Sequence, residues 1–254
     1  MMNASKEDIR RALQEIDSLQ SQVKALNASA SEDLVAVVGM GCRFPGEVRS
    51  PTAFWNFLNT GGDGVCRVPA DRWDADEYFD SIPQTPGKIV TREAGFLDRI
   101  SEFDATFFGI SPKEAASMDP QHRLLLEVTW EAFENATIPA HSLEGKPVGV
   151  YVGISNFEYG ARTLWPEDSR DITQHAGIGG MLCAAAGRIS YSFGFCGPSM
   201  SVDTACSSSL VTAHLACQAI RMGECDTAVV AGVNLFFGPE THINFSQARM
   251  LAPD

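Results

Sequence analysis

The spacing of apolar positions changes several times along this chain, and each change marks an element. Ile9, Leu13, Ile16, Leu19, Val23 and Leu26 stand three or four residues apart among charged neighbours, the stripe of an amphipathic helix close to a coiled-coil seam. Too few heptads are present for such a helix to persist alone, so it reads as a pairing or docking helix. The polar stretch NASASED, residues 27–33, reads as a linker. The expected division is a helical docking segment and linker at 1–30 and a globular part at 31–254.

Beyond the linker, strand and helix periods alternate. LVAVVGMGCRFPG predicts an apolar strand ending in a glycine turn, and SPTAFWNFLN a short helix opened by Ser50 and Pro51. GGDGVCRVPADRWDADEYFD predicts a long loop, in which Asp74, Asp76 and Glu77 lack a metal-ligand spacing and read as solvated. SMDPQHRLLLEVTWEAFENA predicts a helix capped by Asp119, with Pro120 in its first turn and Leu125, Val128, Ala132 and Phe133 on one face. PVGVYVGIS is a buried strand and GMLCAAAGRISYSFG a helix of small residues. A period of two runs through Met200, Val202 and Thr204, and a period near 3.6 through Leu210, Val211, His214, Leu215 and Ile220. DTAVVAGVNLFF is a further strand. This alternation predicts an α/β fold.

Composition narrows the function. Nineteen Lys and Arg face 32 Asp and Glu, and a formal net charge of -13 argues against nucleic acid or anionic lipid as partner. Seven cysteines without a C-x-x-C pair fit neither a zinc site nor a disulfide framework, and point to the reducing cytoplasm. The first residues lack a signal-peptide core, and the apolar run near 228–237 is too short to span a bilayer.

Two motifs invite a chemical reading. Gly39 and Gly41 begin a G-x-G-x-x-G pattern, but Phe44 holds the third position and Pro45 follows, against a nucleotide site. Cys206 is the stronger candidate, because it stands between a strand pattern and a helix pattern among Ala205 and Ser207 to Ser209. A helix start supplies N–H groups and the positive dipole end, which favour a thiolate nucleophile. The serines lack the glycines of a G-x-S-x-G elbow. No histidine is marked as its base: His214 is eight residues along the same helix, His122 opens another helix, and His141, His175 and His242 fall in loop-like sequence.

Taken together, VAVVGMGCRFPG, FWNFLNTGGDGVCRVPADRW, FDATFFGISPKEAASMDPQHRLLLEVTWEAFENA, GRISYSFGFCGPSMSVDTACSSSLVTAHLACQAIRMGECDTAVVAGVN and FSQARMLAPD resemble the β-ketoacyl synthase domain of modular type I polyketide synthases. The likeness runs from Leu34 to Asp254, and the segment before it is similar in character to the amino-terminal docking helices of such synthases. The resemblance implies a thiolase-like fold, of which this chain is the amino-terminal half, in an αβαβα arrangement when both halves are present. It implies that Cys206 accepts an acyl chain from the phosphopantetheine arm of an acyl carrier protein for decarboxylative condensation, with no bound cofactor or metal. The family's two catalytic histidines and part of its oxyanion hole lie beyond the region matching MLAPD. A second half is therefore expected from a separate chain or a continuation, together with an upstream synthase subunit at the leading helix and a dimeric assembly. A non-catalytic scaffold half-domain and a fatty-acid-type synthase are the alternatives; the DGVCRVPADRW loop and the leading helix favour the polyketide type.

Overall fold

Val148–Ile154, here β3, is buried at every residue, and a strand apolar on both faces needs cover on both. The computed structural model describes Arg11 and residues 13–23 and 34–252, and divides into two compact units, Met1–Val37 and Val38–Asp254. In the first unit residues 13–23 are helical, and Leu13, Ile16, Leu19 and Val23 of the expected seam are all exposed. Ile9 and Leu26 lie outside the described residues.

In the second unit the elements are α1 (Pro51–Asn59), β1 (Val65–Arg67), α2 (Ala75–Tyr78), β2 (Glu93–Gly95), α3 (Pro112–Ser117), α4 (Pro120–Asn135), then β3, α5 (Glu158–Leu164), α6 (Ala176–Gly180) and α7 (Ala184–Phe193). β4 (Ser199–Val202), α8 (Ser208–Arg221), β5 (Thr227–Val233) and α9 (Glu240–Gln247) follow. β3 lies between β4 and β5 in a parallel sheet, with Val150 opposite both Ser199 and Val229. Alternation along β3 sends Val148, Val150, Val152 and Ile154 into a core with Leu125, Leu126 and Phe133 of α4 and Ala185, Ala186 and Ile189 of α7. Tyr151 points the other way, onto Ala216 and Ala219 of α8. The result is a parallel sheet between helical layers, the expected α/β class.

Several caps form as the sequence predicts. The Ser50 side chain accepts from Ala53 N–H ahead of α1, and that of Asp119 from Gln121 N–H ahead of α4, each followed by proline. Other expectations need correction. The strand expected after Leu34 has no ladder: residues 34–43 join neither sheet, and Phe44 makes one isolated bridge to Val48. Gly39, Met40 and Gly41 lie against a helix instead. A Cβ on Gly39 would lie 2.3 Å from Ala132 O and one on Gly41 2.6 Å from Val128 O, while Met40 N–H donates to Asn135 Oδ1. The apolar run is present, but Val38 and Met40 remain exposed.

The long loop after Asn59 holds β1 and α2, with β1 paired antiparallel to β2. Asp74 caps α2 through the N–H groups of Asp76 and Glu77, and Asp76 is bound by Arg67 and Arg92. Trp73 and Phe96 pack together here, and His242 stands against both rings and against Phe236. His242 is thus a buried residue of α9, a helix where the sequence pattern suggests a loop. Among the described residues no helix is long and apolar enough to cross a membrane.

Candidate active site

All three strands of the parallel sheet end at one edge, and Cys206 stands there, exposed. β4 stops at Val202, earlier than Thr204, where the alternation led. A 3-10 turn, Ala205–Ser207, carries the cysteine before α8 begins at Ser208. Ala205 has φ 53, a left-handed conformation costly for a residue with a Cβ. That reversal turns the chain out of the strand and leaves the next side chain facing solvent.

Short polar side chains hold the turn. Asp203 Oδ1 accepts from Ala205 N–H, and this bond, then one from the Ser155 hydroxyl, holds its carboxyl below the usual range. Ser208 Oγ accepts from Thr204 N–H at 2.9 Å and donates to Ala205 O at 2.7 Å. Its oxygen also lies 3.3 Å from that of Ser155, the first residue after β3. Ser207 Oγ donates to Thr204 O. The serine run reads as scaffolding around the cysteine.

The helix start rests on two glycines that face each other across the sheet, Gly153 of β3 and Gly232 of β5. A Cβ on Gly153 would lie 2.7 Å from Ser209 N, and one on Gly232 2.7 Å from Ser209 Cβ. Only hydrogen at both positions lets the first turn of α8 lie on the strands. The signal was in the sequence, since VGVYVGI and TAVVAGV both carry glycine next to last, but only pairing shows that the two meet.

None of the five histidines has a hydrogen bond or ring contact to Cys206. His214 is exposed on α8, His141 lies in a 3-10 turn, His175 pairs with Gln174, and His242 is enclosed by aromatic rings. His122 is buried in α4 with neither ring nitrogen partnered, and burial pushes its pKa down to about 4, with Arg188 acting the same way. The sequence marks Asp119 as a cap but not the polar group it forms here with Gln121 and Asn156, all buried. Burial raises the Asp119 carboxyl to about 6 against the lowering effect of its bonds from Gln121. Among the described residues no group of three or more His, Cys, Asp or Glu could hold a metal ion.

A family model described as "Beta-ketoacyl synthase, N-terminal domain" matches residues 32–254. The chain is 50% identical over 219 residues to one component of the phenolphthiocerol/phthiocerol polyketide synthase of Mycobacterium tuberculosis, covering 86% of this chain and 12% of that one. Over 248 residues it is 48% identical to the pikromycin polyketide synthase component PikAII of Streptomyces venezuelae, covering 97% and 6%. It therefore spans only a small part of these relatives. Among solved structures, the oxazolomycin ketosynthase domain OzmH KS7 of Streptomyces albus JA3453 matches with TM-score 0.78 and 36% identity, over 86% of this chain and 37% of that one. The ketosynthase from module 6 of the bacillaene synthase of Bacillus subtilis 168 matches with TM-score 0.77 and 40% identity, over 86% and 35%.

Proposed function

Since the chain belongs to the β-ketoacyl synthase family and has the fold of the amino-terminal half of a thiolase-like ketosynthase from modular type I polyketide synthases, we propose that it is the acyl-accepting half of a polyketide ketosynthase, an acyltransferase with Cys206 as nucleophile. The observation that carries this reading is an exposed cysteine on a left-handed turn where parallel strands end and a helix begins.

The Cys206 thiolate attacks the thioester carbonyl of an acyl chain on the phosphopantetheine arm of an acyl carrier protein. A new S–C bond forms, the carrier's S–C bond breaks, and the carrier leaves as its thiol after taking up a proton. A malonyl-type extender on a carrier then loses carbon dioxide, and the resulting enolate attacks the Cys206 thioester. A carbon–carbon bond forms and the thiolate is released. Charge on the two carbonyl oxygens needs hydrogen-bond donors, for which the second half supplies the histidines and part of the oxyanion hole. No bound cofactor or metal takes part. The leading helix docks an upstream synthase subunit, and the working assembly is dimeric and cytoplasmic.

The test is acyl loading. In the ketosynthase completed by its second half, a radiolabelled acyl group from a carrier protein is expected on the Cys206 peptide and absent after Cys206→Ala. Label retained by that variant, or mapped to Cys66, Cys183 or Cys196, which are also exposed, would refute the assignment and favour a scaffold half-domain.

A further inference from the structure

The chemistry above leaves unused the buried polar network at the start of α4. The side-chain amide of Gln121 donates from Nε2 to Asp119 Oδ2 and to Asn156 O, both at 3.0 Å, and accepts at Oε1 from Leu235 N–H at 3.3 Å. Asp119 Oδ1 accepts Gln121 N–H at 2.8 Å, and Asp119 N–H donates to Gly179 O of α6. Burying an amide is costly unless its bonds are made, and here one amide joins segments 35 and 114 residues away in sequence.

Those two segments continue the strands on which the helix after Cys206 is seated. Asn156 and Leu235 lie just past the ends of β3 and β5, the strands whose Gly153 and Gly232 seat the start of α8. Ser155, the residue before Asn156, bonds the Cys206 turn through Ser208 and Asp203. Farther along the chain after β5, Glu158 of α5 takes over. Its Oε2 accepts from Phe237 and Gly238 N–H, and its Oε1 from the Thr241 hydroxyl. The first residues past β5 are therefore held by Gln121, and those beyond them by Glu158.

We infer that Gln121 is a positioning residue: its three hydrogen bonds set the spacing of the chain segments leaving β3 and β5 and so align an incoming thioester with the Cys206 sulfur. This rests on Cys206 being the acyl acceptor. The amide acts through Asn156, Ser155 and Leu235, and makes no contact with the reacting atoms.

The test uses the ketosynthase completed by its second half and an acetyl group on a phosphopantetheinylated acyl carrier protein. Gln121→Met keeps the volume and removes the three bonds. Acetyl transfer to Cys206 at saturating carrier is expected to fall by about tenfold to a hundredfold, the usual effect of a small misplacement. The half-saturating carrier concentration and the rate of Cys206 alkylation by iodoacetamide, which needs no alignment, should stay within about twofold. Gln121→Glu supplies a second reading. A carboxyl added beside Asp119, with Arg123 on α4 and Glu158 on α5 as the other nearby charges and only Gly179 O from α6, takes up a proton as pH falls. It then donates to Asp119 and accepts from Leu235 N–H, so transfer by Gln121→Glu should recover from about pH 8 to about pH 6, while Gln121→Met should not. Transfer by Gln121→Met within twofold of the unsubstituted enzyme overturns the inference. So does a parallel fall in alkylation rate and melting temperature, or a flat pH response of Gln121→Glu. If the unsubstituted enzyme loads acetyl elsewhere than on Cys206, the acceptor reading fails and takes this one with it.

Discussion

Asp119, the cap of α4, and His122 in its first turn are buried with opposite consequences for pH. The folded state raises Asp119 from 3.8 to about 6, so its ionised form costs stability that is recovered as pH falls through 6 toward 3.8. His122 is lowered from 6.5 to about 4, so stability is lost as pH falls through 6.5 toward 4, because only the unfolded chain takes up the proton. Each change is on the order of 3 kcal/mol, and the two nearly cancel between about pH 4 and 6.5. Urea titrations of the unsubstituted chain should therefore show across that window only the slope left by other groups, among them His242, whose pKa burial also lowers. Asp119→Asn should expose a decline as pH falls and His122→Gln a rise. The same slope in both variants would show that other groups govern it.

Between elements, one close fit is the start of α8 on the glycine pair. Gly153→Ala drives a methyl toward the Ser209 backbone nitrogen, which is fixed by its helix, whereas Gly232→Ala meets the Ser209 side chain. Denaturation should give a loss of about 1–3 kcal/mol for Gly153→Ala, and a smaller one for Gly232→Ala. Acyl loading of Cys206 should drop with the first. Equal stability of Gly153→Ala and the unsubstituted chain would mean that α8 is free to lift away. The helix itself differs from its sequence pattern: Thr212, a polar residue on an apolar helix, is fully buried, while Leu210 is 77% exposed. Intrinsic hydrophobicity does not say which side of an all-round apolar helix meets the sheet. The glycine contacts do.

At the scale of the molecule, apolar surface is left uncovered. Leu210 of α8, Met222 at its carboxyl end, Val230 of β5 and Tyr191 of α7 are all exposed, and exposed apolar residues mark a partner or an aggregation site where they form one patch. Acyl-chain extension should be absent from the 254-residue chain alone and appear when a polypeptide carrying the second half is added. Removing residues 1–30 should then weaken extension from an upstream carrier subunit while leaving extension from a free carrier unchanged. Unaided extension by the chain as a monomer would refute the composite reading, and an unaffected upstream reaction would reduce the leading segment to a surface tail.

Local pattern determined much of this protein. Capping residues and prolines placed the starts of α1 and α4, apolar runs placed β3 and β5, and the junction of two periods located Cys206. These features depend on neighbours within a few residues, and a single chain displays them directly. Tertiary structure decided the rest. Residues 34–43 begin with a strand-like apolar run, yet no strand of the parallel sheet pairs with them, and Gly39 and Gly41 fit instead against the backbone of α4. His242 became part of an aromatic cluster only when Trp73 and Phe96 were brought to it. Gln121 reads as an ordinary polar residue of a helix's first turn, and its role depends on Asn156 and Leu235, far away in sequence. Periodicity reports which residues a chain hides; the directional bonds and close approaches that build a site are set by which distant segments the fold brings together.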